Sequence, residues 1–91
     1  MKVKFFATYR DITLCKEEDV PATPDIWALL ICLAGRYGAA LKAELISPDG
    51  TDVGMNAIVL VNGQNILHLK GKNTPLTDAD VVSIFPLVAG G

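Results

Sequence analysis

Hydrophobic and polar residues alternate at the start of the chain. In "KVKFFA", Val3, Phe5 and Ala7 fall on one face, opposite two lysines, which is typical of a half-buried strand. "TYRD" then predicts a turn, and "ITLCKEED" predicts a second strand with Ile12 and Leu14 directed inward. The N-terminal part of the chain is therefore predicted to form a hairpin.

The pattern changes to a helical period in "ATPDIWALLICLAGRYG". Thr23 is a suitable N-cap, Pro24 suits the first helical position, and Asp25 complements the positive end of the helix dipole. Gly38 is a suitable C-terminal cap. Apolar residues recur with the spacing of one helical face, at Ile26, Leu29, Leu30, Leu33 and Tyr37. This stretch predicts the main helix.

The second half of the chain predicts mostly strands. A short helix is expected at 41–46, followed by a turn and a loop. "AIVLV" is typical of a strand buried on both faces, and Asn62-Gly63 predicts a tight hairpin turn into a short edge strand, "NILHL". "VVSIFP" predicts the last strand, with Val82 and Ile84 facing the core.

One main helix has to cover one face of one sheet, which indicates an α+β fold. The order of elements favours a β-grasp, a mixed sheet whose first and last strands lie parallel at its centre. Pro86 donates no backbone hydrogen bond, so pairing of the last strand is expected to fail there. We therefore expect a domain at 1–86 and a flexible tail at 87–91 that projects from it.

Composition narrows the function classes. The formal net charge is -2, and eight Lys and Arg residues are scattered without a run, which argues against nucleic acid as the partner. The apolar run at 26–34 is shorter than the ~20 residues of a membrane span, and the N-terminus is too polar for a signal peptide. Cys15 and Cys32 are interpreted as free thiols, which favours a reducing cytoplasm. With His68 as the single histidine, no metal site is expected.

The tail "FPLVAGG" ends in two glycines, Gly90 and Gly91. Glycine loses the most backbone freedom on ordering, and it also admits backbone to spaces that a Cβ would block. The residues alone leave two interpretations open: a frayed terminus without a role, or an arm that the rest of the fold holds in a useful position.

Several stretches together resemble the ubiquitin-like sulfur carriers, above all the small subunit of molybdopterin synthase. They are "VKFFATYRDIT", the Leu-Leu-x-x-Leu-x-x-x-Tyr pattern in the helix, "VLVNGQNI", "TPLTDADVVSIFP" and "VAGG". The thiamin-pathway sulfur carriers share the fold and the Gly-Gly but are shorter. This chain differs from the family where a second proline is usual, at Leu87, and where a turn usually reads Asp-Gly-Asp, at Asp78-Ala79-Asp80.

The resemblance implies a function for Gly91. An adenylyltransferase of the ubiquitin-activating type uses ATP to convert the Gly91 carboxylate into an acyl-adenylate, and a persulfide donor replaces the adenylate to leave a thiocarboxylate. The tail then enters the large subunit of molybdopterin synthase and donates sulfur in molybdenum or tungsten cofactor biosynthesis. The chain itself binds no cofactor and supplies no catalytic side chain. The residues expected to contact partners are Phe85, Pro86, Leu87, Val88, Ala89 and Gly90.

Other interpretations stay open. The chain is alternatively a ubiquitin-like modifier joined to lysines through Gly91, a carrier for thiamin or another sulfur-containing product, or a passive interaction module. Asp78 and Asp80 are interpreted as turn residues rather than as paired functional carboxylates. Trp27, Ile31 and Ala34 form a second apolar stripe on the main helix, which predicts a cover from 39–56 or self-association through Trp27 and Ile31.

Overall fold

The computed structural model describes residues 1–87. Its strands are Lys2–Phe5 (β1), Glu17–Asp19 (β2), Ala57–Val61 (β3), Gln64–Asn65 (β4) and Val81–Pro86 (β5). They form one sheet in the order β2-β1-β5-β3-β4. β1 and β5 pair in parallel at the centre, and the other neighbouring pairs are antiparallel. This is the predicted β-grasp arrangement.

Helices cover one face of this sheet. They are Thr8–Thr13 (α1), Ile26–Tyr37 (α2) and Ala39–Leu45 (α3), with 3₁₀ helices at Ile66–His68 and Gly71–Asn73. The predicted stripe of α2 is confirmed, since its four aliphatic members are fully buried and Tyr37 packs edge to face against Phe5, with ring centroids 5.7 Å apart. The sheet contributes Val3, Phe5, Val59, Val61, Val82 and Ile84 to the same core.

The predicted N-terminal hairpin is wrong in its second strand. α1 occupies "TYRDIT", and only Glu17–Asp19 pairs with β1. The chain turns at Ala7, whose φ of 53° and ψ of -131° redirect the backbone into the helix. Tyr9 and Thr13, spaced i and i+4, are buried by this helix, whereas Leu14 is 88% exposed instead of directed inward.

α2 begins two residues later than predicted. Asp25 is its N-cap, and the Asp25 side chain accepts a 2.9 Å hydrogen bond from the amide of Ala28. The Thr23 hydroxyl instead donates to the carbonyl of Asp25. A 3.0 Å hydrogen bond from the Ile26 amide to the carbonyl of Thr74, distant in sequence, fixes this start. Sequence periodicity carries no signal for that contact.

α3 includes most of the short helix predicted at 41–46. Gly38, with φ of +89°, ends α2 as predicted and also precedes α3. Gly54 packs directly on the end of α3, where its amide donates a 2.8 Å hydrogen bond to the carbonyl of Leu45. A Cβ at Gly54 would lie 2.1 Å from the carbonyl oxygen of Glu44, so only glycine fits this crossing.

The Asn62-Gly63 turn is confirmed. Both residues have positive φ, 51° and 85°, as a tight hairpin turn of this kind requires. The edge strand after it is shorter than predicted, because the chain enters a 3₁₀ helix at Ile66 after only two paired residues. The Asn65 side chain caps that helix by accepting a hydrogen bond from the Leu67 amide.

Candidate functional site

The candidate site is the end of β5, from which the predicted tail leaves the sheet. β5 is hydrogen-bonded on both sides, to β1 in the register Lys2–Val81 and to β3 in the register Val61–Val82. Val82 and Ile84 are fully buried, as predicted. The predicted tail is therefore attached to the central strand of the sheet, which is hydrogen-bonded along both edges.

The prediction that pairing fails at Pro86 holds on one side of β5 and is wrong on the other. On the β1 side, pairing ends with the hydrogen bond from the Phe6 amide to the carbonyl of Ile84. On the β3 side, the amide of Leu87 donates a 2.7 Å hydrogen bond to the carbonyl of Asn56. Successive residues of a strand direct their N–H groups to opposite neighbours, so the proline removes a donor only on the β1 side.

The sheet face opposite the helices is apolar beside the tail. We call this the open face: Ile58 and Leu60 of β3, Phe85 of β5 and Phe6 after β1, with Lys2 and Lys4 on its β1 side. The prediction that "AIVLV" is buried on both faces is wrong on this side, since Ile58 and Leu60 are only half-buried. The exposed apolar surface therefore continues from the sheet to the root of the tail.

Leu87 extends this surface around the end of β3. Its side chain is 59% exposed and lines a groove of about 630 Å³. Met55 and Leu67, at 91% and 82% exposed, also border this groove. The partner-binding roles predicted for Phe85, Pro86 and Leu87 stay predictions. Val88, Ala89, Gly90 and Gly91 lie outside the described residues.

The two aspartates of the Asp78-Ala79-Asp80 turn act on the backbone and on Asn62. Asp78 accepts a hydrogen bond from the Ala22 amide, and Asp80 accepts from the Asn62 side chain and the Thr77 amide. The Asn62 amide group, with the Thr77 backbone, holds the pKa of Asp80 below its usual range. Ala79 has no positive φ, so the turn carries no strain there. Within residues 1–87, no group of three or more His, Cys, Asp or Glu side chains could hold a metal ion.

The second apolar stripe of α2 is covered in part. Ala34 is buried, and the Lys72 ammonium lies 5.1 Å from the centre of the half-buried Trp27 ring. Lys72 belongs to the 3₁₀ helix Gly71–Asn73, which the sequence did not indicate, and its ammonium also donates to the carbonyl of Thr51 in the predicted covering segment 39–56. Ile31 is 48% exposed. Self-association through Trp27 and Ile31 stays a prediction.

The hydroxyl of each tyrosine donates a hydrogen bond to a glutamate. Tyr9 OH donates to Glu44, and burial together with that carboxylate raises the Tyr9 pKa. Tyr37 OH donates to Glu18, which also pairs with Arg36. Burial and the neighbouring Cys15 thiol raise the pKa of Tyr37 to about 12. Sequence reasoning assigned no role to Tyr9, although its i, i+4 spacing with Thr13 indicates a helix face.

No helix within the described part of the chain is long and apolar enough to cross a membrane. Both cysteines are free thiols, with Cys32 exposed on α2.

A family model, the ThiS family, matches residues 3–91, which is nearly the whole chain and includes both terminal glycines. The chain belongs to the ThiS family. This confirms the resemblance to the ubiquitin-like sulfur carriers at the level of the family.

Relatives of this ThiS-family chain include named modifier proteins. Small archaeal modifier protein 3 of Haloferax volcanii is 38% identical over 96 residues, which cover 100% of this chain and 98% of that protein. The solution structure of small archaeal modifier protein 1 from Methanosarcina acetivorans has a TM-score of 0.86 at 32% identity, covering 99% of this chain and 94% of that one.

A third similar structure has a different description. The putative molybdopterin converting factor, subunit 1, from Pyrococcus furiosus is 27% identical, with a TM-score of 0.71, and the match covers 96% of this chain and 95% of that one. Proteins similar to this chain are thus described both as modifier proteins and as a putative molybdopterin converting factor subunit.

Proposed function

We propose that this ThiS-family chain is a sulfur carrier and the small subunit of a molybdopterin synthase, with Gly91 as the residue that carries sulfur. The observation that carries the proposal is the position of β5. It lies at the centre of the sheet, bonded on both sides, and its last residues include the half-buried Phe85 and lead directly to the exposed Leu87. The subunit similar to this chain in Pyrococcus furiosus supports the choice of molybdopterin synthase.

The chemistry requires activation because a carboxylate is a poor electrophile. The Gly91 carboxylate attacks the α-phosphate of ATP on a partner adenylyltransferase, and pyrophosphate leaves. The terminal sulfur of a donor persulfide attacks the acyl carbon, and AMP leaves. A thiol then reduces the resulting acyl disulfide, so that the thiocarboxylate remains on the carrier.

In this function the fold presents the tail to partner proteins and supplies no catalytic side chain. Glycines at 90 and 91 have no Cβ, so that backbone and carboxylate fit a narrow channel of the partner. The open face, with Phe6 and Phe85 beside Leu87, supplies the apolar centre that protein interfaces use, and Lys2 and Lys4 supply its polar rim. One surface then serves the adenylyltransferase and the large subunit of the synthase in turn.

The experiment is the intact mass of the protein isolated from its native cells. We expect a population heavier by the difference between sulfur and oxygen, located at Gly91 by fragmentation. A variant that lacks Gly91, and another with one residue added after it, should fold normally and carry no such population. Sulfur loading of the shortened chain equal to that of the wild type would rule out the carrier function at this residue.

A second candidate function is protein modification, which the 38% identical small archaeal modifier protein 3 favours. Both functions need an adenylated Gly91, and they diverge in the acceptor, a small molecule or a lysine amine. A tagged chain from native lysates should run as free protein under denaturing conditions if it is only a carrier. A ladder of conjugates that disappears on deletion of Gly90 and Gly91 would establish the modifier instead.

A further inference from the structure

The carbonyl oxygen of Asn56 lies where the tail leaves the sheet. It accepts the 2.7 Å hydrogen bond of the Leu87 amide, and the hydroxyl of Tyr9 lies 3.4 Å from the same oxygen. Asn56 directly precedes β3, so this carbonyl is attached to a strand of the sheet. The carbonyl therefore ties the backbone of Leu87 to the start of β3.

The Tyr9 hydroxyl, which contacts this carbonyl, is itself held by Glu44. The Tyr9 side chain is fully buried, and its hydroxyl lies 3.1 Å from Oε1 of Glu44 in α3. The phenol has one proton, and its hydroxyl lies within hydrogen-bond distance of both acceptors, so it shares that proton between the Glu44 carboxylate and the Asn56 carbonyl. Because burial and the Glu44 carboxylate both raise the pKa of Tyr9, the phenol stays a donor throughout the neutral range.

We propose that Tyr9 is a positioning residue for Leu87: it holds the Asn56 carbonyl in place, and that carbonyl fixes Leu87, the residue from which the chain continues toward Gly91. Three elements meet at this point, since Tyr9 belongs to α1, Glu44 belongs to α3 and Asn56 directly precedes β3. The value of a fixed Leu87 for sulfur loading rests on the proposed function, whereas the fixing of Leu87 does not.

A role in packing alone is the competing explanation, because a buried tyrosine contributes to any core. Tyr9→Phe separates the two, since it keeps the ring and removes only the hydroxyl. Tyr37→Phe is the matched control, because Tyr37 also donates to a glutamate but sits at the β2 end of the sheet, close to Cys15. Any loss that comes only from global stability should appear in both variants.

The first measurement is the hydrogen-exchange rate of the Leu87 amide by NMR, with global stability measured by urea unfolding. Loss of one hydrogen bond of ordinary strength corresponds to about a fivefold change in the equilibrium constant of the local opening that exposes an amide to exchange. We expect exchange at Leu87 to be about fivefold faster in Tyr9→Phe and unchanged in Tyr37→Phe. Equal exchange at Leu87 in wild type and Tyr9→Phe would overturn the inference.

The second measurement is ATP–pyrophosphate exchange with the adenylyltransferase of the source organism. We expect Tyr9→Phe to lower kcat about fivefold with KM within about twofold of wild type, because misplacement of the tail affects the reaction geometry and leaves the open face intact. In a Leu87→Pro background, which lacks the amide, Tyr9→Phe should lower kcat no further. An equal fall in kcat in Tyr9→Phe and Tyr37→Phe would contradict a positioning role. So would a fall in kcat on Tyr9→Phe that is as large in the Leu87→Pro background as in the wild-type background. If wild type is not adenylated at all, the proposed function fails, and exchange at Leu87 alone decides this inference.

Discussion

The rings of Phe6 and Phe85 meet edge to face, with centroids 6.1 Å apart and planes at 87°. One ring follows β1 and the other lies near the end of β5, so the pair spans the two central strands on the face that no helix covers. Phe6 is still 38% exposed. An aromatic pair left open beside the tail is typical of the centre of a protein interface.

Leu87→Asp should weaken docking without unfolding the domain. Burial of a leucine at an interface contributes about 1.5–3 kcal/mol, so we expect affinity for a partner of the open face to fall about tenfold or more. Since Leu87 is 59% exposed, Tm should change by no more than about 3 °C. Binding to the large subunit of the proposed synthase is measured by titration calorimetry.

Leu14→Asp is the control for this variant, because Leu14 is 88% exposed near β2, at the far edge of the sheet. It should leave affinity unchanged. A large loss of Tm in Leu87→Asp would show that Leu87 packs on its own domain instead of on a partner.

Gly54→Ala should destabilise the fold by about 2 kcal/mol or more. The new Cβ would lie 2.1 Å from the carbonyl oxygen of Glu44, and relief of this clash must lengthen the hydrogen bond from Gly54 to Leu45. Gly35→Ala is the matched control, since a Cβ added at Gly35 in α2 would meet nothing within 4 Å, and alanine there should stabilise by about 0.5–1 kcal/mol. Urea unfolding measures both, and equal effects would contradict the close packing at Gly54.

Ala7→Gly should stabilise the domain by about 1 kcal/mol. Ala7 has a φ of 53°, a conformation that is costly for residues with a Cβ and free of strain for glycine. The opposite sign is expected for Ala40→Gly in α3, where glycine lowers helix propensity by about 1 kcal/mol. Thermal unfolding of both variants tests this, and a loss of stability in Ala7→Gly would show that the turn does not strain the backbone.

Alkaline pH should destabilise the protein through its tyrosines. Folding raises the pKa of Tyr37 from 10.0 to about 12 and raises that of Tyr9 as well. A raised pKa means that the stabilisation is fully present below pH 10 and is lost as the pH rises toward 12. Absorbance at the tyrosinate band should therefore rise at higher pH in the folded protein than in urea, and in Tyr37→Phe only Tyr9 should contribute. Ionisation of either phenol near its ordinary pKa would contradict its burial.

The sequence is sufficient for features set by local chemistry. The helical stripe from Ile26 to Leu33 and the Asn62-Gly63 turn each follow from residues close together in the chain. The errors lie where distant contacts decide: Thr74 fixes the start of α2, and Asn56 extends the pairing of β5 to Leu87. α1 is only six residues long, so the apolar spacing around Ile12 fits the period of a strand as well as that of a helix. The turn at Ala7 directs the backbone into the helix and decides between the two.

The parallel pairing of Lys2 with Val81 joins residues from opposite ends of the described chain. β1 and β3 have β5 as their shared neighbour, so the β2-β1 and β3-β4 halves of the sheet cannot be joined before β5 is available. Non-local pairing of this kind slows folding and leaves strand edges exposed until it is made. We therefore expect a chain that is interrupted before Val81 to be degraded by proteases. The topology thus couples the presence of the strand that bears the tail to survival of the protein in the cell.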